Sequence, residues 1–465
     1  MNKDNYKNKV YTHLNNTNFY QKINTKTLIR SFLETLKTHQ HINEHTFKFL
    51  TPPIKPQTSL FYILPKIHKP SIPGRPIVSS INSLTENISE FLTLCIQPLV
   101  TKLKSHIKDT THFLKKIKSY PQIRGDTLLV SADIISLYTN IPHEEGIDAC
   151  IYFIEKYRTT LPSFTPNKTI LKTLFLFVLE NNYFEFENIL YKQLFGTAMG
   201  TKMAPPYTNL FLGYLEETKI LASTYKTFIE LYVRFLDDIF FIWNGTTKQL
   251  KTFFDFLNNI HPTIKFTYNV SNTSTNFLDS TIYIDTQTKY LYSKLYTKPT
   301  DTRTLLHYDS YYPKHTKTSI IYSQVIRYRT IITVDKILQI ELKKLADTLL
   351  SRGYPLHLIK NQLRKINNIS QHQLLARKTI TSNEKHAKNN ISTNKNVNKR
   401  KPKQRTLPFI IPYSEHFLNL KKIITKYWYI IEQDKLLKKT FPNKPFISFK
   451  RNKNLKDILI KTKFS

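Results

Sequence analysis

The sequence predicts an α+β fold, a mostly antiparallel sheet covered by helices on one face. Three observations carry that prediction. Residues 231–243, LYVRFLDDIFFIW, form two apolar, aromatic and β-branched runs broken by Asp237 and Asp238, the pattern of a hairpin. Three further strand-like runs follow at hairpin spacing, 264–270, 276–284 and 289–296. Stretches with apolar residues three and four apart lie between the strand runs, as helices do in this class.

Composition bounds the rest. The chain has 465 residues, 40% hydrophobic and 13% aromatic, enough to bury a sizeable core. Its formal net charge of +36 calls for a polyanionic partner, and nucleic acid is the commonest one. AT-biased coding, visible in abundant Lys and Asn and scarce Gly, inflates that charge without creating it. Cys95 and Cys150 are too few for a disulfide scaffold or a cysteine-based zinc site, and both lie in apolar helical contexts. The amino terminus, MNKDNYKNK, is polar and reads as no signal peptide. No apolar run has the length of a membrane span; the longest, 170–179, contains Lys172.

In chain order, residues 1–51 are polar with helical spacing, as at Ile29, Phe32, Leu33 and Leu36. Proline punctuates 51–80, so this stretch reads as loops round two short strands, FYIL and RPIVSS. Lys66, His68, Lys69 and Arg75 gather near Gly74. Beside a carboxylate site such a strand pair can grip a triphosphate or a nucleic-acid backbone; otherwise it is an edge hairpin with solvated lysines. Residues 83–104 and 110–117 read as helices. The apolar strand 128–135 carries Asp133 near its end, and an acid so placed needs a partner or a metal. Residues 147–157 and 168–180 read as helices, and 183–195 as a hairpin.

The run GTAMGTKMAPPYTNLF holds Gly196, Met199, Gly200 and Met203 and leads through Ala204, Pro205 and Pro206 into an apolar helix. Glycines there let the backbone approach a ligand closely, although an ordinary strand-to-helix turn looks the same. Asp237 and Asp238 come next. Two carboxylates at a bend between apolar strands repel each other and lose hydration unless a cation lies between them. Mg²⁺, hard and oxygen-seeking, is the natural cation, and phosphoryl transfer is the chemistry it commonly serves. A solvated acidic hairpin tip is the plain alternative.

Residues 248–258 read as a helix, and 319–331, 334–352 and 356–366 as a helical bundle with Gly353 just past a helix end. Asn, Lys, Ser and Thr dominate 376–405. This stretch reads as a solvated linker whose basic cluster, including Lys399, Arg400 and Lys401, suits nuclear import or nucleic-acid contact. Residues 407–465 form a short basic module around Trp428, with a helix expected at 415–437.

Taken in order, LPKIHKP, PGRPIVSS, SADIISLYTNIP, GTAMGTKMAPPYTNLF, RFLDDI and NFLDSTIYI resemble the reverse transcriptase of Penelope-like retroelements, over nearly the whole chain. The resemblance implies a right-hand polymerase. Helices and fingers would occupy 1–127, the palm 128–300 and the thumb 301–370, followed by a basic linker (371–406) and a small helical C-terminal module (407–465). It implies RNA-directed DNA synthesis with an RNA template, a DNA primer and dNTPs, no membrane, and two Mg²⁺ ions that Mn²⁺ can replace. Asp133, Asp237, Asp238 and the carbonyl of Ile134 match the metal-binding positions. Tyr138 matches the gate that crowds a ribose 2′-OH. Arg75, with Lys66, matches the contacts to the incoming triphosphate. Met199 and Gly200 match the loop beneath the nucleotide. Ala204, Pro205 and Lys69 fall at nucleic-acid contacts, and Lys265 at the proton donor to pyrophosphate.

Met199 stands where retroviral enzymes carry glutamine, and Phe235 where the commoner motif has tyrosine. Relatives carry a Lys-Gly-Gly strand before the segment that opens this chain, and many continue into a zinc-binding segment and a nuclease domain. The expectation is therefore a chain with the endonuclease absent and the amino-terminal part truncated, as an incomplete copy, a truncated gene model or a variant without endonuclease would be. A catalytically inactive RNA-binding relic is the runner-up, and a generic Mg²⁺-dependent nuclease is the third reading.

Overall fold

The structure, a computed structural model, describes residues 2–22, 29–67, 69, 71–123, 125, 127–367, 369–376, 407–417 and 419–453. The chain divides into two compact units, Met1–Thr302 with Ile331–Val334, and Arg303–Thr330 with the described residues from Asp335 onward. Both α-helices and largely antiparallel sheets are present, as the sequence predicts.

The first unit begins with α1 (Lys3–Leu14), β1 (Tyr20–Lys22), α2 (Ile29–Thr38), α3 (Glu44–Leu50), β2 (Ser59–Pro65) and β3 (Gly74–Ser79). Then come α4 (Glu86–Val100), α5 (Thr110–Lys118), β4 (Leu128–Ile134), α6 (Leu137–Asn140), α7 (His143–Lys156) and α8 (Lys168–Glu180). The hairpin β5 (Tyr183–Phe186) and β6 (Ile189–Gln193) leads to α9 (Ala204–Leu215), β7 (Ile229–Phe235) and β8 (Asp238–Trp243). The unit continues with α10 (Thr247–Asn259), β9 (Phe266–Ser271), β10 (Ser274–Phe277), β11 (Ser280–Ile284) and β12 (Leu291–Leu295).

The central sheet has the order β7-β8-β4-β9, antiparallel throughout. One face meets α4, α7, α9 and α10 in a core that includes Val130, Ala132, Phe241, Leu210 and Phe253. The expectation of a sheet covered on one face only is corrected here. Phe240 points the other way, with its ring 5.1 Å from Phe113 of α5 and 5.7 Å from Phe277 of β10. The β8 strand is thus buried on both sides, as its unbroken run of Ile, Phe and Trp requires. Helix α9 opens with Pro205 and Pro206, which suit the first turn because they lack N–H groups that would go unpaired there. Helix α10 opens with a capping box in which Thr246 and Gln249 exchange side-chain hydrogen bonds.

A second sheet has the order β1-β6-β5-β2-β3, with only β2 and β5 parallel, and packs against Val10 and Leu14 of α1. The three-residue strand β1 falls where sequence spacing read only helix. The stretch 276–284, read as one strand, is a tight hairpin: Phe277 pairs with Ser280, and Leu278 takes φ +54° in the turn.

In the second unit α11 (Lys314–Ile331), α12 (Asp335–Ser351), α13 (Leu356–Asn367) and α14 (Gln371–Ala376) are followed by a small module. Gly353, at φ +80°, ends α12. Its N–H donates to the Leu350 carbonyl and that of Tyr354 to the Leu349 carbonyl, the paired bonds of a Schellman cap. The module contains β13 (Pro408–Pro412), α15 (Leu420–Tyr427), α16 (Tyr429–Gln433), α17 (Lys435–Thr440) and β14 (Phe446–Lys450). This corrects the expectation of one helix in a purely helical module. β13 and β14 pair in parallel, and Asp434 starts a new helix by accepting bonds from the N–H groups of Leu436 and Leu437. Among the described residues no helix is long and apolar enough to cross a membrane.

Candidate active site

Strand β4 lies between β8 and β9, and this order assembles the site. Asp133 is the cross-strand partner of Asp238 on one side and of Thr267 on the other. Such partners have Cα atoms about 4.5–5.5 Å apart. Asp237 lies in the two-residue turn between Phe235 and Asp238, whose other member, Leu236, has φ +55°. For a residue with a Cβ that conformation costs about 1–2 kcal/mol, so something must hold the turn.

The electrostatics register how crowded the three carboxylates are. Burial, then Asp237 and then Asp133 push the Asp238 carboxyl up to about 6, with Lys298 opposing. Asp133 is also raised, first by the protein packed round it and then by Asp237, while Lys69, Lys66 and the Ile134 N–H pull it back. The donors are hard oxygens, the set that suits Mg²⁺ or Mn²⁺. As they stand, no three His, Cys, Asp or Glu side chains among the described residues are grouped to hold a metal ion. Carboxylates that repel one another by default are what a shared dication would draw together.

The basic candidates come from the β2–β3 hairpin. Arg75 pairs with Leu64 across it, and the Lys66 N–H donates to the Pro73 carbonyl at the loop. The Lys66 ammonium is lowered by burial and then by Arg75 and Lys69, while Asp133 and Asp237 act the other way. Lys66, Lys69 and Arg75 thus share one electrostatic neighbourhood with the acids. His68 lies outside the described residues.

Tyr138 reaches the same neighbourhood by a sharp reversal. Ser136 takes φ +49°, and α6 starts at the next residue. Burial raises the Tyr138 hydroxyl; its hydrogen bond to Thr208 opposes the rise, Asp237 adds to it and Arg75 opposes it. The loop 196–200 straps these parts together. Thr197 N–H donates to the Tyr138 carbonyl at 2.7 Å, Val78 N–H to the Met199 carbonyl at 2.9 Å, and Ser80 Oγ to the Gly200 carbonyl at 2.7 Å. Gly200, at φ +130°, has no room for a Cβ, which would sit 2.1 Å from the Val78 carbonyl oxygen. The close approach that glycine permits is therefore to β3 itself. Ala204 is buried at the start of α9 and Pro205 beside it is exposed.

Lys265 is not brought to the carboxylates. Its ammonium donates to the carbonyl of Asn258 in the last turn of α10 at 2.5 Å and to that of His261 just beyond it at 3.4 Å. Its backbone carbonyl, by contrast, accepts from Ile135 N–H at 2.9 Å and pins the end of β4. Lys399, Arg400 and Lys401 lie outside the described residues.

Sequence reasoning missed Arg234. It is fully buried beneath the Asp turn, and Nε and Nη2 donate to Glu216 at 2.6 and 3.1 Å. Nη1 donates to Asn209 Oδ1 at 2.8 Å and to the Leu236 carbonyl at 3.1 Å, and Nη2 also to the Asn209 carbonyl at 3.1 Å. The signal was there: an arginine inside an apolar strand must find buried acceptors.

A family model described as an animal helix-turn-helix domain matches residues 304–364. No curated protein matches the chain. Among solved structures, the chain is similar to telomerase from Candida albicans in complex with a TWJ fragment of telomeric RNA. That likeness has 11% identity and a TM-score of 0.47, over 79% of this chain and 61% of that one. Apo telomerase from Candida tropicalis, truncated from its C-terminal domain, is similar at 13% identity and TM-score 0.41, over 63% of this chain and 58% of that one. The BmCPV RNA-dependent RNA polymerase at its elongation state is similar at 12% identity and TM-score 0.41, over 69% of this chain and 30% of that one. The chain thus spans less than two thirds of the length of each of these three.

Proposed function

We propose that the chain is an RNA-directed DNA polymerase of a Penelope-like retroelement, with 1–127 as helices and fingers, 128–300 as palm and 301–370 as thumb. The observation that carries this reading is the pairing of Asp133 with Asp238 across the sheet, with Asp237 in the adjoining turn. Asp133, Asp237, Asp238 and the Ile134 carbonyl are the groups that would hold two Mg²⁺ ions, or Mn²⁺ in their place. Bound there, such ions supply an activated primer 3′-OH and neutralise charge on the β- and γ-phosphates.

The protein's own side chains do the rest. Lys66 and Arg75 grip the triphosphate of the incoming dNTP, Arg75 through a planar fork that matches phosphate oxygens. Tyr138 crowds the sugar and rejects a 2′-OH. Met199 and Gly200 hold the loop beneath the nucleotide, while Lys69, Ala204 and Pro205 lie along the template. The thumb helices and the basic linker hold the RNA template and DNA primer by their phosphates, without sequence readout. The cluster at 399–405 serves nuclear import.

Primer extension on an RNA template tests this. The wild type should add dNTPs with Mg²⁺ or Mn²⁺, and Asp237→Asn should abolish extension while primer–template binding persists. Extension by Asp237→Asn at the wild-type rate overturns the assignment. A wild type that binds RNA without extending a primer favours the inactive relic, and template cleavage without dNTPs favours the nuclease.

A further inference from the structure

The Asp turn is strained, and one buried side chain holds it. Leu236, at φ +55°, has its carbonyl bonded by Arg234 Nη1, and all five guanidinium N–H donors are engaged. The acceptors at the other end are rigidly mounted. Asn209 lies in α9, where its Nδ2 donates to the Pro205 carbonyl at 3.0 Å, and Glu216 opens a π-helical turn at the end of that helix. Glu216 also accepts from Ser105 Oγ at 2.5 Å. The Arg234 backbone is fixed as well, its N–H donating to the Ser105 carbonyl and its carbonyl accepting from Ile107 N–H.

We propose that Arg234 is a positioning residue that holds the Leu236–Asp237 turn in its left-handed form, and thereby sets where Asp237 and Asp238 stand relative to Asp133. This rests on the reading of the three acids as a metal site. The same Phe-Leu-Asp turn recurs at 277–279 with Leu278 at φ +54°, and there too a partner from outside holds it: Thr110 Oγ1 donates to Asp279 at 2.5 Å. The tripeptide folds back in both places, and the first copy hangs from the buried Arg234 guanidinium. A loss at Arg234 should therefore appear first in metal affinity, because misplaced carboxylates chelate poorly.

The experiment is Mn²⁺ binding by calorimetry, beside primer extension, on the full chain. Arg234→Lys keeps the charge but not the fork, and should lose about tenfold or more in Mn²⁺ affinity. Glycine adopts positive φ without strain, so the double variant Arg234→Lys with Leu236→Gly should recover part of that affinity. A purely structural arginine would not be rescued this way. If Arg234→Lys does not fold, Asn209→Ala leaves the ion pair intact and should show a measurable loss of Mn²⁺ affinity, smaller than that expected of Arg234→Lys. Wild-type Mn²⁺ affinity in a folded Arg234→Lys or Asn209→Ala variant overturns the proposal, as does a loss of affinity that Leu236→Gly does not relieve. A wild type that binds Mn²⁺ but extends no primer fails the polymerase reading and leaves this one standing.

Discussion

Asp133 and Asp238 are cross-strand partners where β4 ends and β8 begins, and Asp133 helps to raise the Asp238 carboxyl to about 6. A raised acid destabilises the fold when ionised. Its contribution is therefore most favourable below the ordinary carboxylate range and is lost as pH rises through about 6. In the presence of a chelator Asp238→Asn, which carries no charge, should melt above the wild type at about pH 8, and the gap should close on acidification to about pH 4. If the three acids hold Mg²⁺ as proposed, adding Mg²⁺ should reverse the order, because a ligand that binds the folded wild type better stabilises it more. Equal melting of the two proteins in chelator at alkaline pH would mean the carboxylates do not repel in solution.

Tyr138 supplies a test of sugar selection. Its hydroxyl meets Thr208 and its ring lies in the neighbourhood of Asp237 and Arg75. Tyr138→Ala should raise ribonucleotide incorporation relative to dNTPs by at least about tenfold, as expected when a pocket loses the group that excludes a hydroxyl. The measurement is the ratio of kcat/KM for dNTP and rNTP. An unchanged ratio removes Tyr138 from the role of gate.

These acids were legible in the sequence because a carboxylate within an apolar strand run is costly unless a cation or a donor meets it. The helix at Lys168–Glu180 followed from spacing alone. Strand order was not legible. Nothing local in 128–135 says that its neighbours will be β8 and β9, yet that order is what brings Asp133 to Asp238. Arg234 could be flagged as needing a partner, but Glu216 becomes that partner only because α9 runs beneath the hairpin. Leu278 hid its turn, and Leu236 hid that the Asp hairpin bends at 236–237 with Asp238 already in β8, since leucine rarely occupies positive φ and no Gly or Asn marked either spot. The buried Gln362 gives no hint in sequence of lying on the inner face of α13 beside Ile359 and Ile366.

Helix α13 presents His357, Lys360, Asn361, Arg364 and Lys365 to solvent and carries no acid. If this face holds duplex phosphates, replacing Lys360, Arg364 and Lys365 together by alanine should weaken binding equally across template sequences. It should also lower the slope of log affinity against log salt by about two to three. Fluorescence anisotropy at several salt concentrations reads both. An unchanged slope assigns these cations to a solvated surface.

Lys265 separates two roles that sequence resemblance cannot. As proton donor to pyrophosphate, its loss should remove the alkaline limb of the pH–rate profile and leave stability alone. The geometry instead gives its ammonium to the carbonyls of Asn258 and His261, where a cation meets the negative end of α10. Lys265→Met should then cost about 1 kcal/mol of stability through the lost bonds and the lost favourable charge at the helix end. The β4–β9 junction should survive, because the Ile135 N–H bond uses the backbone carbonyl of residue 265, which methionine keeps. The expected result is a lower melting temperature with the pH dependence of kcat unchanged at a permissive temperature. Normal melting together with a vanished alkaline limb would restore Lys265 as the acid and require its side chain to swing away from α10 when nucleotide binds.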